Sequence, residues 1–292
     1  MPIWKVIVLA IVQGLAELLP VSSSAHVVTA EKLMHLDPSA PAMTLLLVLM
    51  HTGTMFSVIV YFWSQWRDTY FSSPARLKRT AGHLVVATIL TGVIGEGIVK
   101  GIEHTFFNGA PKAQIEDLFG RLDLVAPALF AAGLVILVAG IRERAAESLA
   151  VARKQSLESE LTLNQAALMG AVQGLCLPFR GFSRSGATIS TGMLSGAPRL
   201  TAEHFSFALA VILTPPVVFR EALRLRNAPI VSTPDPHGAI ATSLIGCVLA
   251  FLAGLVALKW LSRWLEQGRW YLFGVYCLLA SMVVFLLYRC GY

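Results

Sequence analysis

Residues 10–26 read A-I-V-Q-G-L-A-E-L-L-P-V-S-S-S-A-H, and residues 170–188 read G-A-V-Q-G-L-C-L-P-F-R-G-F-S-R-S-G-A-T. V-Q-G-L occurs in both, at 12–15 and at 172–175. In each place an apolar stretch too short to cross a bilayer runs into a polar, Ser-rich loop. A second short helical stretch follows. A spanning helix needs about 20 mainly apolar residues. Six other stretches meet that requirement: roughly 41–63, 83–100, 122–141, 203–223, 239–262 and 270–289. Each half of the chain is therefore one broken segment followed by three full spans.

Three is an odd number, so the chain reaches the second broken segment from the opposite side of the membrane. Two equivalent units in opposite orientation form an inverted repeat, and such proteins place polar sites at the repeat interface. Non-helical backbone at membrane depth must be covered by protein or line a wet cavity. The expected fold is all-α: a polytopic integral membrane protein with six transmembrane helices plus two re-entrant helix–loop–helix pairs. It forms a single membrane domain over 1–292, with 1–142 as the first inverted repeat and 164–292 as the second.

Composition agrees with this reading. The chain is 55% hydrophobic and 14% charged, where a soluble domain carries roughly a quarter charged residues. The net charge of +6 reads as cytoplasmic loops and headgroup contacts, and no basic stretch carries interleaved aromatics, so nucleic acid is not an expected partner. Cys176, Cys247, Cys277 and Cys290 form no C-x-x-C pair, which argues against a zinc site or a disulfide framework. The N-terminal run superficially resembles a signal peptide, but Gln13 and Glu17 interrupt it, so it reads as part of the mature protein. Lys and Arg favour 64–82, 142–163 and 263–269 as cytoplasmic, through Arg67, Arg76, Lys78, Arg79, Arg142, Arg144, Arg153, Lys154, Arg263 and Arg269. That orientation turns the first loop outward.

Ionisable groups inside apolar segments are costly and mark functional candidates. Glu17 is the sharpest. Gln13 lies four residues earlier and shares its helix face, and Pro20 should end the helix just beyond. A carboxylate there could hold a divalent cation or act as a general base; the plainer alternative is a membrane-edge carboxylate reaching water. Ser22, Ser23, Ser24 and His26 follow. A serine with a histidine three residues on can be a nucleophile with its base, if the loop folds them together. Taken alone, serines that cap the next helix are the commoner outcome.

The second loop is Gly-punctuated and opens a helix, where backbone N–H groups bind anions. Arg184 is central, because a guanidinium grips phosphate oxygens in a bidentate way. Its rival role is to pair with Glu17. His51 and Thr54 in M-H-T-G-T sit mid-span as lesser candidates; a lone histidine there is more often a packed residue. Thr214, Pro215 and Pro216 mark an expected kink, and Glu96 an interfacial carboxylate. An arginine loop, a carboxylate, serines and a histidine suit phosphoryl transfer from a lipid.

These residues resemble a known family. Q-G-L-A-E-L-L-P-V-S-S-S-A-H (13–26) is similar to the first signature of the undecaprenyl-diphosphatases, the bacitracin-resistance phosphatases of bacteria. R-G-F-S-R-S-G-A-T (180–188) is similar to their second signature, and E-H-F-S-F (203–207) to the segment after it. The resemblance covers essentially the whole chain. It implies hydrolysis of undecaprenyl diphosphate to undecaprenyl phosphate and inorganic phosphate, recycling the carrier lipid of cell-wall synthesis. It implies a bacterial inner-membrane protein with its site facing the periplasm. By the same resemblance, Glu17, Ser23, His26 and Arg184 are catalytic. Ser22, Ser183, Arg184, Ser185, Gly186 and Thr188 bind substrate. Glu17, with Gln13, holds a divalent cation, Mg2+ or Ca2+. A homodimer is one arrangement compatible with such a chain. The chain departs from the family pattern twice, at Gln13, where Glu is common, and at Arg180, where Pro is usual. The reading from another class is a transporter that flips polyprenyl phosphate lipids, since broken helices in inverted repeats also mark transporters.

Overall fold

The computed structural model describes residues 1–36, 40–106, 120–150, 160–227 and 236–292. Arg153 and Lys154 fall outside these residues. Among the described residues the chain is helical and has no strand. The helices are α1 (Ile3–Leu18), α2 (Ser23–Leu33), α3 (Pro41–Thr69), α4 (Pro74–Phe106), α5 (Leu122–Ala150), α6 (Leu163–Cys176), α7 (Arg184–Leu194), α8 (Arg199–Asn227), α9 (Pro236–Glu266) and α10 (Trp270–Arg289).

Six of them (α3, α4, α5, α8, α9 and α10) are long and apolar enough to cross a membrane. Several overrun their expected ends: α3 continues to Thr69 and α5 to Ala150. Hydropathy marks only the part of a helix inside hydrocarbon, and polar turns such as Arg67–Asp68 extend it beyond. The outer faces carry apolar side chains at helical spacing, such as Phe56, Val60 and Trp63 on α3 and Val248, Leu252 and Val256 on α9. Rows of exposed apolar residues on long helices fit hydrocarbon as the surrounding solvent, so this is an integral membrane protein.

The other four helices are short. At 1.5 Å rise per residue α1 reaches about 24 Å and α2 about 17 Å, below the ~30 Å of a bilayer core. Pro20 stops α1: the residue before a proline is driven to extended backbone, and Leu19 has φ −75° and ψ 150°. In the second half a capping box, Thr162 with Gln165, starts α6, and Ser183 caps α7.

The short helices pack reciprocally. α1 lies chiefly against α9 and α6 against α4, α5 packs on α10, and α3 packs mainly on α9 and to a lesser extent on α8. The repeated V-Q-G-L explains both close approaches. A Cβ on Gly14 would sit 2.6 Å from the Ala250 carbonyl oxygen and from Ala253 Cβ on α9. A Cβ on Gly174 would sit 2.9 Å from the Thr91 carbonyl oxygen on α4. Only glycine lets these backbones meet, the usual device where helices associate in lipid. The shared interior is aromatic and aliphatic, with Phe62, Phe205, Phe207, Trp270 and Ile136 fully buried. The helix α8 runs unbroken through Pro215 and Pro216.

Candidate functional site

The α1–α2 and α6–α7 loops meet. Ser24 Oγ accepts a hydrogen bond of 3.1 Å from the Gly181 N–H, and Ser185 Oγ donates to the Leu19 carbonyl at 3.3 Å. At their junction, Glu17 collects polar groups from four helices. Gln13 Nε2, one turn back on α1, donates to Oε2 at 3.2 Å. Ser23 Oγ, at the start of α2, donates to the same oxygen at 2.5 Å. Arg184 Nη2, at the start of α7, lies 2.8 Å from Oε1. His51 Nε2 on α3 is 3.7 Å from Oε2.

Burial pushes the Glu17 carboxyl up. His51 and Arg184 beside it, with hydrogen bonds from Ser23 and Arg184, outweigh burial and hold it below the usual carboxylate range. Glu17 and Arg184 line a narrow cavity with His51 and Thr54 of α3 and with Phe207 and Thr214 of α8. Arg184 Nη1 is buried there with no hydrogen-bond partner among the described residues. A guanidinium with one buried donor unused beside a cavity is an anion receptor in waiting.

The remaining second-loop residues hold the loop. Ser183 Oγ accepts from the Gly186 N–H at 3.2 Å. Thr188 Oγ1 donates to the Arg184 carbonyl at 2.9 Å and meets Ser206 Oγ at 2.5 Å. These bonds fix the first turn of α7, which carries Arg184. Ser22 does the same for α2: its side chain accepts from the Ala25 N–H at 3.4 Å. It also has φ 68°, one of two non-glycine residues with positive φ among the described residues. Such backbone costs of order 1–3 kcal/mol and persists only where its surroundings enforce it.

His26 stands apart from the pairing its spacing suggests. The group that takes the Ser23 hydrogen bond is Glu17. His26 Nδ1 donates to the Ser22 carbonyl at 2.8 Å, and Nε2 faces the Tyr276 hydroxyl at 2.7 Å. On a helix, positions 23 and 26 share a face without touching, whereas the bend at Pro20 folds Ser23 back onto α1. Tyr276 gave no sequence signal, being one aromatic residue in an apolar span. His51 and Thr54 gave a faint one, since M-H-T-G-T interrupts an otherwise apolar helix. Gln173, the repeat counterpart of Gln13, is buried against Thr91, and Leu177 stands where a second Glu17 would fall. The two halves therefore present different chemistry.

A family model described as bacitracin resistance protein BacA matches residues 6–283 of the chain. Undecaprenyl-diphosphatase 2 of Acinetobacter baylyi is 52% identical over 288 residues, covering 97% of each chain. Undecaprenyl-diphosphatase 2 of Burkholderia thailandensis is 32% identical, covering 97% of this chain and 95% of its own. The undecaprenyl-diphosphatase of Halothermothrix orenii is 32% identical and covers 98% of both. The family match takes in both loops, and the chain belongs to the BacA family of bacitracin resistance proteins.

Proposed function

We propose that this protein is an integral-membrane phosphatase that hydrolyses undecaprenyl diphosphate to undecaprenyl phosphate and inorganic phosphate. This is the activity named for its relatives over nearly their whole length. One observation carries the reading to residues: Arg184 from the second loop and Ser23 from the first are both bonded to the single carboxylate of Glu17.

Arg184 receives the terminal phosphoryl group through Nη1 and then through Nη2. Taking Nη2 from Glu17 removes one of the groups that hold its carboxyl low. Glu17 becomes a stronger base as substrate arrives, and Ser23 Oγ–H is already bonded to it. The proton passes to Glu17, and Oγ attacks the terminal phosphorus. The anhydride P–O bond breaks, and undecaprenyl phosphate leaves. Water then attacks the phosphoserine, releases inorganic phosphate and restores Ser23. Ser22, Ser183, Ser185, Gly186 and Thr188 hold the two loops in place, and their hydroxyls and N–H groups border the phosphate position.

A divalent cation fits this donor set in part. Glu17, the Gln13 carbonyl and the Ser23 hydroxyl are hard oxygen ligands. Among the described residues no group of three His, Cys, Asp or Glu could hold an ion. Mg2+ commonly takes one or two carboxylates and completes its shell with waters and substrate phosphates. When bound it would neutralise charge on the diphosphate.

The two halves form an inverted repeat with re-entrant pairs α1–α2 and α6–α7, a reading supported by their reciprocal packing and short helices. The site faces the periplasmic side of a bacterial inner membrane, as the Lys and Arg distribution favours. Purified protein supplied with Mg2+ should release phosphate from a polyprenyl diphosphate, and Arg184→Ala should not. Wild-type protein that releases none would overturn the assignment.

A further inference from the structure

Tyr276 lies in the second turn of α10, and its hydroxyl is 2.7 Å from Nε2 of His26. The two rings stack with centroids 5.7 Å apart and planes within 11°. The other ring nitrogen, Nδ1, is 2.8 Å from the Ser22 carbonyl. A carbonyl only accepts, so Nδ1 carries the proton, and in the neutral ring Nε2 accepts from the phenol O–H. Both nitrogens and one ring face of His26 are thereby fixed. The carbonyl it holds belongs to Ser22, whose φ of 68° puts it in the left-handed region. Ser22 precedes Ser23, and its strained turn decides where Ser23 Oγ points.

We infer that Tyr276 is a positioning residue of this reaction: through His26 it clamps the strained Ser22 turn and thereby holds Ser23 Oγ against Glu17. The inference rests on the assignment of Ser23 as the attacking group. It gives His26 a role that its distance from the Ser23–Glu17 bond otherwise leaves without explanation. It also ties the last helix of the chain to the first loop, so the site depends on α10 as well as on the two signature segments. Burial holds His26 toward its neutral form, against the Ser22 hydrogen bond that favours the charged one. The neutral form is the one this tautomer requires.

The test uses the full-length protein in lipid nanodiscs and follows phosphate release from a polyprenyl diphosphate. Tyr276→Phe keeps the stacked ring and removes only the hydroxyl. It should lower kcat by about tenfold with KM near the wild-type value, the scale on which partners that orient a functional imidazole act. The 15N signals of the His26 ring should show loss of the pure Nδ1–H tautomer. In a His26→Ala background the same change should add nothing further. Tyr276→His, which can restore a donor to Nε2, should recover part of kcat. An unchanged kcat in Tyr276→Phe would overturn the inference, and so would a loss that adds in full to that of His26→Ala. Wild-type protein that forms no phosphate would instead overturn the phosphatase reading, and full activity in Ser23→Ala would overturn the assignment of Ser23.

Discussion

Arg184 Nη2 on α7 lies 2.8 Å from Glu17 Oε1 on α1, joining the two signature loops across 167 residues of sequence. The guanidinium is poised to exchange this carboxylate for phosphate oxygens, and its planar fork is what makes the exchange specific. Arg184→Lys keeps the charge and loses the fork. It should reduce kcat/KM by about two orders of magnitude, the scale of losing one donor aimed at a transition state. Steady-state phosphate release checks this.

Ser23 Oγ is 2.5 Å from Glu17 Oε2 and is the expected nucleophile. Ser23→Ala should lose at least a thousandfold in kcat, as removal of an attacking hydroxyl does. Rapid acid quench of the wild type followed by peptide mass analysis should find phosphate on Ser23. Full activity in the alanine variant would assign the attack to water.

Glu17 must be ionised to accept the serine proton, so activity is lost as pH falls through its folded pKa. Its neighbours hold that value below the ordinary 4.5. The acid limb of kcat/KM should therefore lie below about 4.5 in the wild type. His51→Asn removes one of the groups that lower it and should move the limb to higher pH. The pH–rate profiles of the two proteins, measured on the same substrate, check the sign.

Gly14 and Gly174 seat the two copies of V-Q-G-L against α9 and α4. A methyl at Gly14 meets the Ala250 carbonyl oxygen and Ala253 Cβ, both at 2.6 Å. Gly14→Ala should destabilise the protein by about 1–3 kcal/mol, as overpacking does, seen as a lower Tm in a thermal-shift measurement. Gly14→Leu should be worse. Gly174→Ala, with its nearest contact at 2.9 Å, should cost less.

Much of this site is legible in the sequence. Pro20 ends α1 where a proline must, Gln13 and Glu17 share a face because four residues make one turn, and the paired loops announce that they meet. The six spans follow from apolar length. What the sequence hides is tertiary. His51 faces Glu17 only because α3 packs beside α1, and its polar neighbourhood is a faint signal. Tyr276 reaches His26 across 250 residues of sequence, and nothing in an apolar helix marks the aromatic residue that meets the first loop. Spacing suggests a Ser23–His26 pair, but the fold back at Pro20 gives Ser23 to Glu17 instead. The helix ends at Thr69 and Ala150 escape because hydropathy stops at the membrane surface and hydrogen bonding does not.

The central claim is that one carboxylate organises both loops for phosphoryl transfer. Glu17→Gln keeps the shape of that group and removes its charge and basicity. Measured as phosphate released from a polyprenyl diphosphate with Mg2+ present, the variant should lose about a thousandfold or more in kcat/KM, the joint scale of a general base and an electrostatic anchor. Wild-type turnover by Glu17→Gln would contradict the claim.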